Sequence, residues 1–150
     1  MSKNKNILVV NGPNLNLLGS RQNDIYGNLG LGEINQNLID LGKTLNVTLE
    51  FFQSNHEGLI IDKLQSAKTN STHGMLINLG AFTHTSIAIY DTLLAIDLPF
   101  VEVHLSNIFA REKFRHASYI SRIAIGVITG FGPKSYVYGL MALSDHIQKA

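Results

Sequence analysis

The chain has 150 residues, of which 45% are hydrophobic, and its 12 basic and 11 acidic side chains leave a net charge of +1. This length can bury a sizeable core, and we expect one domain spanning residues 1–150. The nearly balanced charge, with no basic stripe interleaved with aromatics, argues against a nucleic-acid partner. The absence of cysteine excludes disulfides, thiolate nucleophiles and cysteine zinc sites.

The first residues, MSKNKNILVV, contain an apolar run of only four residues. Such a run is far shorter than a signal-peptide core or a membrane span. We therefore expect a protein that is neither exported nor bound to a membrane, with the cytoplasm as its compartment.

Five short β-rich runs recur along the chain. They are ILVV (7–10), VTLEFF (47–52), GMLIN (74–78), FVEVHL (100–105) and AIGVIT (124–129). Several are apolar without alternation, which is typical of strands covered on both faces. Helices are predicted in the intervening and final segments, at 31–45, 58–67, 84–96, 110–118 and 135–147. In the first of these, leucines and an isoleucine recur every three or four residues and form one helix face.

The alternation of strands and helices indicates repeated βαβ units, and so a parallel sheet with helices on both faces. Right-handed crossovers leave few topologies for five strands. We predict an α/β fold of the flavodoxin-like type, with strand order 2-1-3-4-5. In such a sheet the carboxyl ends of the strands lie along one edge, where a ligand crevice forms at the switch in strand order.

Polar residues and glycines follow every predicted strand. They are Asn11, Gly12, Pro13 and Asn14, then Gln53, Ser54 and Asn55, then Asn78 and Gly80, then His104, Ser106 and Asn107, and finally Gly130 and Gly132. Turn formation alone would account for some of them. Their recurrence at all five strand ends favours a binding site along that edge.

The stretch LGSRQNDIYG (18–27) has no periodicity and carries Arg21 and Tyr26. The tyrosine could simply pack against its own loop. Alternatively, a guanidinium beside a phenol favours the phenolate, which would make Tyr26 a base. The local sequence leaves both interpretations open.

Within FVEVHL, Glu102 and His104 are two residues apart, so the pleat of a strand places them on one face. A carboxylate beside an imidazole can fix the orientation of the ring and stabilise the imidazolium, as a general acid requires. An isolated pair of this kind is more often structural, but its position at a strand's carboxyl end favours catalysis. In GAFTHTS, His84 and Thr85 are predicted at the start of a helix, where they could bind an anion or a hydroxyl, or cap the helix.

Two other kinds of site lack support in the sequence. No H-E-x-x-H or comparable ligand spacing occurs, so a metal site is not expected. NGPNLN lacks the Lys-Ser/Thr ending of a P-loop, and GFGPKS lacks the full G-x-G-x-x-G pattern, so nucleotide binding has little support.

Together these motifs resemble one family, the type II 3-dehydroquinate dehydratases. The resemblance is carried by NGPNLNLLGSR, YG, FFQSNHEG, INLGAFTHTSIAI, VEVHLSNIFAREKFRHASYIS and GVITGFG, in that order. It implies a flavodoxin-like subunit that needs no cofactor and assembles as trimers into a dodecamer. It also implies a lyase that takes 3-dehydroquinate to 3-dehydroshikimate by anti dehydration through an enolate, in the shikimate pathway or in quinate breakdown.

The resemblance also assigns roles to residues. Tyr26 matches the base that removes the C2 proton, Arg21 the group that promotes its phenolate, and His104, oriented by Glu102, the acid that protonates the departing C1 hydroxyl. Asn14 matches the residue that holds a water against the enolate. Asn78, the backbone at Leu105 and Ser106 match positions that bind the substrate carboxylate, and His84 and Arg115 match positions that bind the ring hydroxyls. Arg111 matches a supporting arginine, and Asp91 an acid that reaches into a neighbouring subunit's site. Four positions depart from the family pattern. Asn23 replaces a common proline, Tyr90 a common arginine, Leu79 a small residue or proline, and Ala117 a common histidine.

The competing interpretation is a flavodoxin-like module that binds a small ligand or a nucleotide without catalysis. The polar strand ends alone would suit such a module. It would have no use for Tyr26, Glu102 and His104 together, and it predicts no turnover of 3-dehydroquinate.

Overall fold

One parallel sheet of five strands organises the chain, whose computed structural model describes residues 3–20 and 29–150. The strands are β1 (Lys5–Asn11), β2 (Val47–Gln53), β3 (Gly74–Asn78), β4 (Phe100–His104) and β5 (Gly126–Thr129). Their order is β2-β1-β3-β4-β5, and every neighbouring pair is parallel. The predicted flavodoxin-like α/β fold and strand order are confirmed.

Within the described residues, four α-helices cover the two faces of the sheet. They are α1 (Leu31–Leu45), α2 (Glu57–Ala67), α3 (Ile87–Ile96) and α4 (Lys134–Lys149). The helices α1 and α4 pack on one face, and α2 and α3 pack on the other. Because both faces are covered, alternate residues of a strand enter different cores: Ile7 and Val9 join the first, Leu8 and Val10 the second. None of the helices in the described ranges is both long and apolar enough to cross a membrane.

Local signals explain where the helices begin and end. The predicted apolar face of α1 is the face that packs on the sheet, with Ile34 and Leu38 fully buried. The helix ends at Asn46, which adopts the left-handed conformation (φ 56°) while its N–H donates to the Gly42 carbonyl. At the start of α3, the Ser86 hydroxyl accepts a hydrogen bond of 3.0 Å from the Ile89 N–H.

The helix predicted at 110–118 is wrong. The chain forms short 3-10 turns at Ile108–Ala110 and Lys113–Arg115 instead, separated by the extended Glu112 (ψ 146°). A helix needs an apolar face to bury, and the aromatic side chain of this segment, Phe114, is 66% exposed. The residues that follow are hydrogen bonded to the candidate site instead, as described below.

The start of α3 also differs from the prediction. His84 ends a 3-10 turn, Gly80–His84, and the helix begins at Ile87, so neither His84 nor Thr85 caps it. Ser86, one residue further along, supplies the hydroxyl that satisfies the first free N–H groups. His84 is therefore placed by the turn rather than by the helix.

The loops that follow β1 and β3 approach each other unusually closely. The Gly12 N–H donates to the Asn78 carbonyl at 2.8 Å, and a Cβ added at Gly12 would lie 2.1 Å from the Leu79 carbonyl oxygen. No side chain can be accommodated at that distance without moving the backbone. Gly12 thus allows the two strand ends that form one side of the candidate site to meet.

We expect Gly12→Ala to lower the free energy of unfolding by about 3 kcal/mol or more, because the methyl group would overlap backbone atoms that cannot rotate away. Gly58→Ala is a matched control, since a Cβ on that helical glycine meets nothing within 4 Å. It should be neutral or slightly stabilising, by less than about 1 kcal/mol. Urea denaturation of the two variants measures both effects, and equal stabilities would contradict the predicted overlap.

Candidate active site

A pocket of about 150 Å³ opens at the carboxyl edge of the sheet. Such a volume admits one small molecule. Eight of the residues to which the family resemblance assigns a role line it: Asn14, Asn78, His84, His104, Leu105, Ser106, Arg111 and Arg115. Glu102 lies behind His104. The edge predicted from strand topology therefore carries a real cavity.

Glu102 and His104 form the most tightly held pair in this pocket. On β4 the Glu102 side chain is fully buried and His104 is 5% exposed. The His104 Nε2 lies 2.5 Å from Glu102 Oε2. With Nε2–H donating to the carboxylate, Nδ1 is the ring nitrogen left to exchange a proton with a ligand.

Two serines hold the other oxygen of this carboxylate. The Ser118 hydroxyl donates to Glu102 Oε1 at 3.0 Å, and the Ser121 hydroxyl donates to the same atom at 2.6 Å. Burial raises the pKa of Glu102, but the hydrogen bonds from His104, Ser121 and Ser118 outweigh it and hold the pKa below its ordinary value. The carboxylate is therefore ionised at neutral pH and can stabilise a protonated His104.

His84 presents a neutral ring to the pocket. Its Nδ1 donates to the Ala117 carbonyl at 2.7 Å, which leaves Nε2 as a hydrogen-bond acceptor. Burial lowers the pKa of His84, and the charges of His104 and Arg115 lower it further, against the opposing effect of the Ala117 hydrogen bond. The ring stacks near His104, with centroids 6.2 Å apart and planes 18° apart. The two imidazoles thus differ in their hydrogen-bond partners, since His84 is held by a backbone carbonyl and His104 by a buried carboxylate.

Asn78 contributes an amide whose two ends are both hydrogen bonded. Its Oδ1 accepts from the Gly80 N–H at 3.1 Å, and its Nδ2 donates to the Tyr136 hydroxyl at 2.9 Å. Tyr136 in turn donates to Asn11 Oδ1 at 2.5 Å. The amide of Asn78 is therefore fixed before any ligand binds.

Asn14 is held by its backbone rather than by its side chain. The residue adopts the left-handed conformation (φ 68°), which asparagine tolerates better than most residues. Its N–H donates to Asn55 Oδ1 at 3.0 Å, and Gln53 Nε2 donates to both the Gly12 carbonyl and Asn55 Oδ1. The loops after β1 and β2 are thereby joined, and the Asn14 side chain remains exposed at the pocket.

Two arginines on the part of the pocket lining that the structure describes carry positive charge. Arg111 Nη1 donates to the Ser106 hydroxyl at 3.4 Å, and Arg115 Nε donates to Glu112 at 2.6 Å. Within residues 3–20 and 29–150, the pocket lining contains no carboxylate. The cavity therefore suits a small anion that also carries hydroxyl groups.

Three of the residues singled out from the sequence are not placed by the structure. Arg21, Asn23 and Tyr26 lie outside the described residues. Asp91 is described, but it is exposed on α3 and does not line the pocket of its own chain.

A second cavity, larger and more open at about 570 Å³, lies between β5 and the end of α4. Its lining is mainly apolar, and its ionisable side chains, Asp145, His146 and Lys149, all come from the last turns of the helix. The 150 Å³ pocket, with convergent polar groups on several strand ends, is the better candidate for chemistry. In the described part of the chain, no three His, Asp or Glu side chains are grouped so as to hold a metal ion.

Sequence reasoning missed the residues that hold the site together. Ser118 and Ser121 fell within or just after a segment predicted as helix, where serines carry no distinctive signal. Tyr136 fell on the apolar pattern of a helix and looked like an ordinary core residue. For all three, the available signal was their position in or after the motifs VEVHLSNIFAREKFRHASYIS and GVITGFG, which carry the family resemblance.

Comparison with known proteins connects this geometry to a family. The sequence matches the family described as Dehydroquinase class II over residues 5–144. It is 55% identical over 142 residues to a 3-dehydroquinate dehydratase of Acaryochloris marina, covering 95% of each chain. It is 52% identical over 149 residues to a protein of that name from Polynucleobacter necessarius, covering 99% of this chain and 100% of that one. The solved type II dehydroquinase of Butyrivibrio crossotus superposes with a TM-score of 0.91 at 44% identity, covering 98% of this chain and 99% of that one.

The lowered pKa of Glu102 predicts how stability depends on pH. The stabilisation it provides is fully present above the ordinary glutamate pKa of 4.5 and is lost as the pH falls through the lower value of the folded state. The difference in unfolding free energy between the wild type and Glu102→Gln should therefore be largest near neutral pH and shrink below 4.5.

Urea denaturation at neutral pH and in steps between about pH 5 and 3.5 measures this difference. Glu57→Gln makes the same substitution at an exposed side chain and serves as the control. A difference for Glu102→Gln that stays constant over the whole range would contradict the prediction.

Proposed function

The chain belongs to the class II dehydroquinase family, and we propose that it carries out the family's reaction with Tyr26 as the base and His104 as the acid. It is a hydro-lyase that removes water from 3-dehydroquinate to give 3-dehydroshikimate. The observation that best supports His104 as the acid is the buried contact between its Nε2 and Glu102, in a ring that lines the pocket. A module that only binds a ligand would gain nothing from this pair.

The proposed reaction proceeds in two steps. The Tyr26 phenolate, promoted by Arg21, takes the proton from C2, and the electron pair moves into an enolate on the ring ketone. The carbonyl then re-forms, a double bond forms between C1 and C2, and the bond from C1 to its hydroxyl breaks as His104 Nδ1 donates a proton, so that water leaves. Asn14 is proposed to hold a water against the enolate oxygen, a fixed dipole directed at charge that develops during the reaction.

Substrate binding is proposed to use the neutral and cationic groups of the same pocket. The amide of Asn78, the backbone at Leu105 and the hydroxyl of Ser106 would take the carboxylate, with Arg111 supporting Ser106 through their hydrogen bond. The Nε2 of His84 is a free acceptor for a ring hydroxyl, and Arg115 on the same side can donate to another. These groups match a substrate that is an anion and a polyol at once.

The assembly is proposed to be a dodecamer of trimers in which Asp91 completes the site of a neighbouring subunit. On α3, Ile87, Asp91 and Leu94 are spaced by four and three residues and therefore share one face. Ile87 is 58% exposed and Leu94 49% exposed. An acid flanked by exposed apolar side chains is what a docking face between subunits requires.

The acid and base assignments predict that His104→Ala and Tyr26→Phe each lower kcat by about 10²–10⁴-fold, because each removes a proton-transfer group. The rise in ultraviolet absorbance as the conjugated enone forms from 3-dehydroquinate measures the rate. Tyr138→Phe, at an exposed tyrosine of α4, is the matched control and should keep wild-type activity. Near-normal kcat in Tyr26→Phe would show that this tyrosine only packs its loop.

The proposed contribution of Asp91 predicts complementation between two inactive variants. Asp91→Ala and His104→Ala chains, co-expressed in equal amounts, should recover about a quarter of wild-type activity, because a random mixture pairs an intact His104 with a neighbour's intact Asp91 at about one site in four. A mixture of His104→Ala with Tyr26→Phe should stay inactive, since both groups belong to one chain. Light scattering should give a mass well above the 16.5 kDa of a single chain. Activity in monomers, or no recovery in the first mixture, would contradict this assignment.

A further inference from the structure

A buried tyrosine lies directly behind the proposed carboxylate-binding amide. Tyr136, on α4, is fully buried, and its hydroxyl lies between the side chains of Asn11 and Asn78. These two asparagines are register partners at the carboxyl ends of the adjacent strands β1 and β3. Asn78 lines the pocket, whereas Asn11 and Tyr136 do not, so neither of the latter can touch a ligand there.

The direction of each hydrogen bond in this group is determined. A phenol has a single proton, and the 2.5 Å contact with Asn11 Oδ1 requires Tyr136 to donate it there. Burial also raises the pKa of Tyr136, which keeps that proton on the hydroxyl. Towards Asn78 the hydroxyl can therefore only accept, which requires the NH₂ end of the amide to face it.

The other end of the amide enforces the same orientation. Asn78 Oδ1 accepts from the Gly80 N–H at 3.1 Å. In the reversed orientation two donors would face each other at Gly80, and two acceptors would face each other at Tyr136. With the observed orientation, one Nδ2 hydrogen is used by Tyr136 and the second can be directed at a ligand in the pocket.

We propose that Tyr136 is a positioning residue for substrate binding, because its hydroxyl, held by Asn11, sets the orientation in which Asn78 offers an N–H to the substrate carboxylate. This inference rests on the proposed role of Asn78 in binding that carboxylate. Tyr136 acts through Asn78 alone. Its loss should therefore weaken binding of substrate without changing the proton transfers at His104.

The test compares steady-state kinetics on 3-dehydroquinate. Tyr136→Phe keeps the ring but removes the hydroxyl, and it should raise KM by about tenfold with kcat within about twofold of wild type. Asn11→Leu tests the same group from its other end: without an acceptor at Asn11, the phenol can rotate and donate towards Asn78, so KM should rise in the same way. Ser144→Ala removes a buried hydroxyl from the same helix, away from this group, and should leave both constants unchanged.

A double-mutant cycle separates positioning from general loss of stability. Asn78→Ala should raise KM, and Tyr136→Phe combined with Asn78→Ala should be no worse than Asn78→Ala alone, because the tyrosine then has nothing left to orient. Additive effects on KM, or an unchanged KM in both Tyr136→Phe and Asn11→Leu while Asn78→Ala raises it, would overturn the inference. An unchanged KM in Asn78→Ala would overturn both the inference and the proposed role of Asn78. The assignments of His104 as acid and Tyr26 as base are tested separately, by the kcat of His104→Ala and Tyr26→Phe.

Discussion

A buried carboxylate can persist only where hydrogen-bond donors surround it, and Glu102 imposes this requirement on the chain around it. Its side chain is fully buried under β4, and three donors satisfy it: His104 from the same strand, and Ser118 and Ser121 from the segment that follows the 3-10 turns. That segment must fold back across the edge of the sheet to supply the two serines. In doing so it also brings the Ala117 carbonyl to His84 Nδ1, so one segment sets the tautomer of one imidazole and supports the carboxylate that holds the other.

The two faces of the sheet support different parts of one pocket. On β4, Val101 and Val103 point to the face under α4, so Glu102 and His104, which alternate with them, point to the opposite face. The serines that bind Glu102 come from the segment before β5. The Asn11, Asn78 and Tyr136 group lies on the other face, under α4. The proposed acid and the proposed carboxylate-binding amide are thus supported by separate parts of the core. We therefore expect substitutions in one part to affect its proposed function more than the other.

The sequence predicted the fold well where a single periodic pattern decided the structure. The predicted bounds of α1, 31–45, match those observed, because its apolar residues step by three and four and the next residue, Asn46, ends the helix. The pleat predicted that Glu102 and His104 share a face, which follows from their spacing alone. The helix predicted at 110–118 was wrong because the conformation there depends on contacts with distant residues. No local pattern encodes a hydroxyl that binds a carboxylate sixteen or nineteen positions earlier. The role of Tyr136 in the site was not predicted for a related reason: its polar partners, Asn78 and Asn11, lie 58 and 125 positions away along the chain.

The pocket with two arginines and no carboxylate on its described lining has a consequence for selectivity. Cationic side chains attract every small anion in solution, and their long-range pull weakens as ionic strength rises. Inorganic phosphate and simple carboxylic acids should therefore compete for entry on charge alone, and the buffer should influence the apparent affinity. What such competitors lack is the pattern of ring hydroxyls that the neutral Nε2 of His84 can recognise. Discrimination among anions thus falls to an uncharged imidazole, and a tight inhibitor would have to satisfy it as well as the arginines.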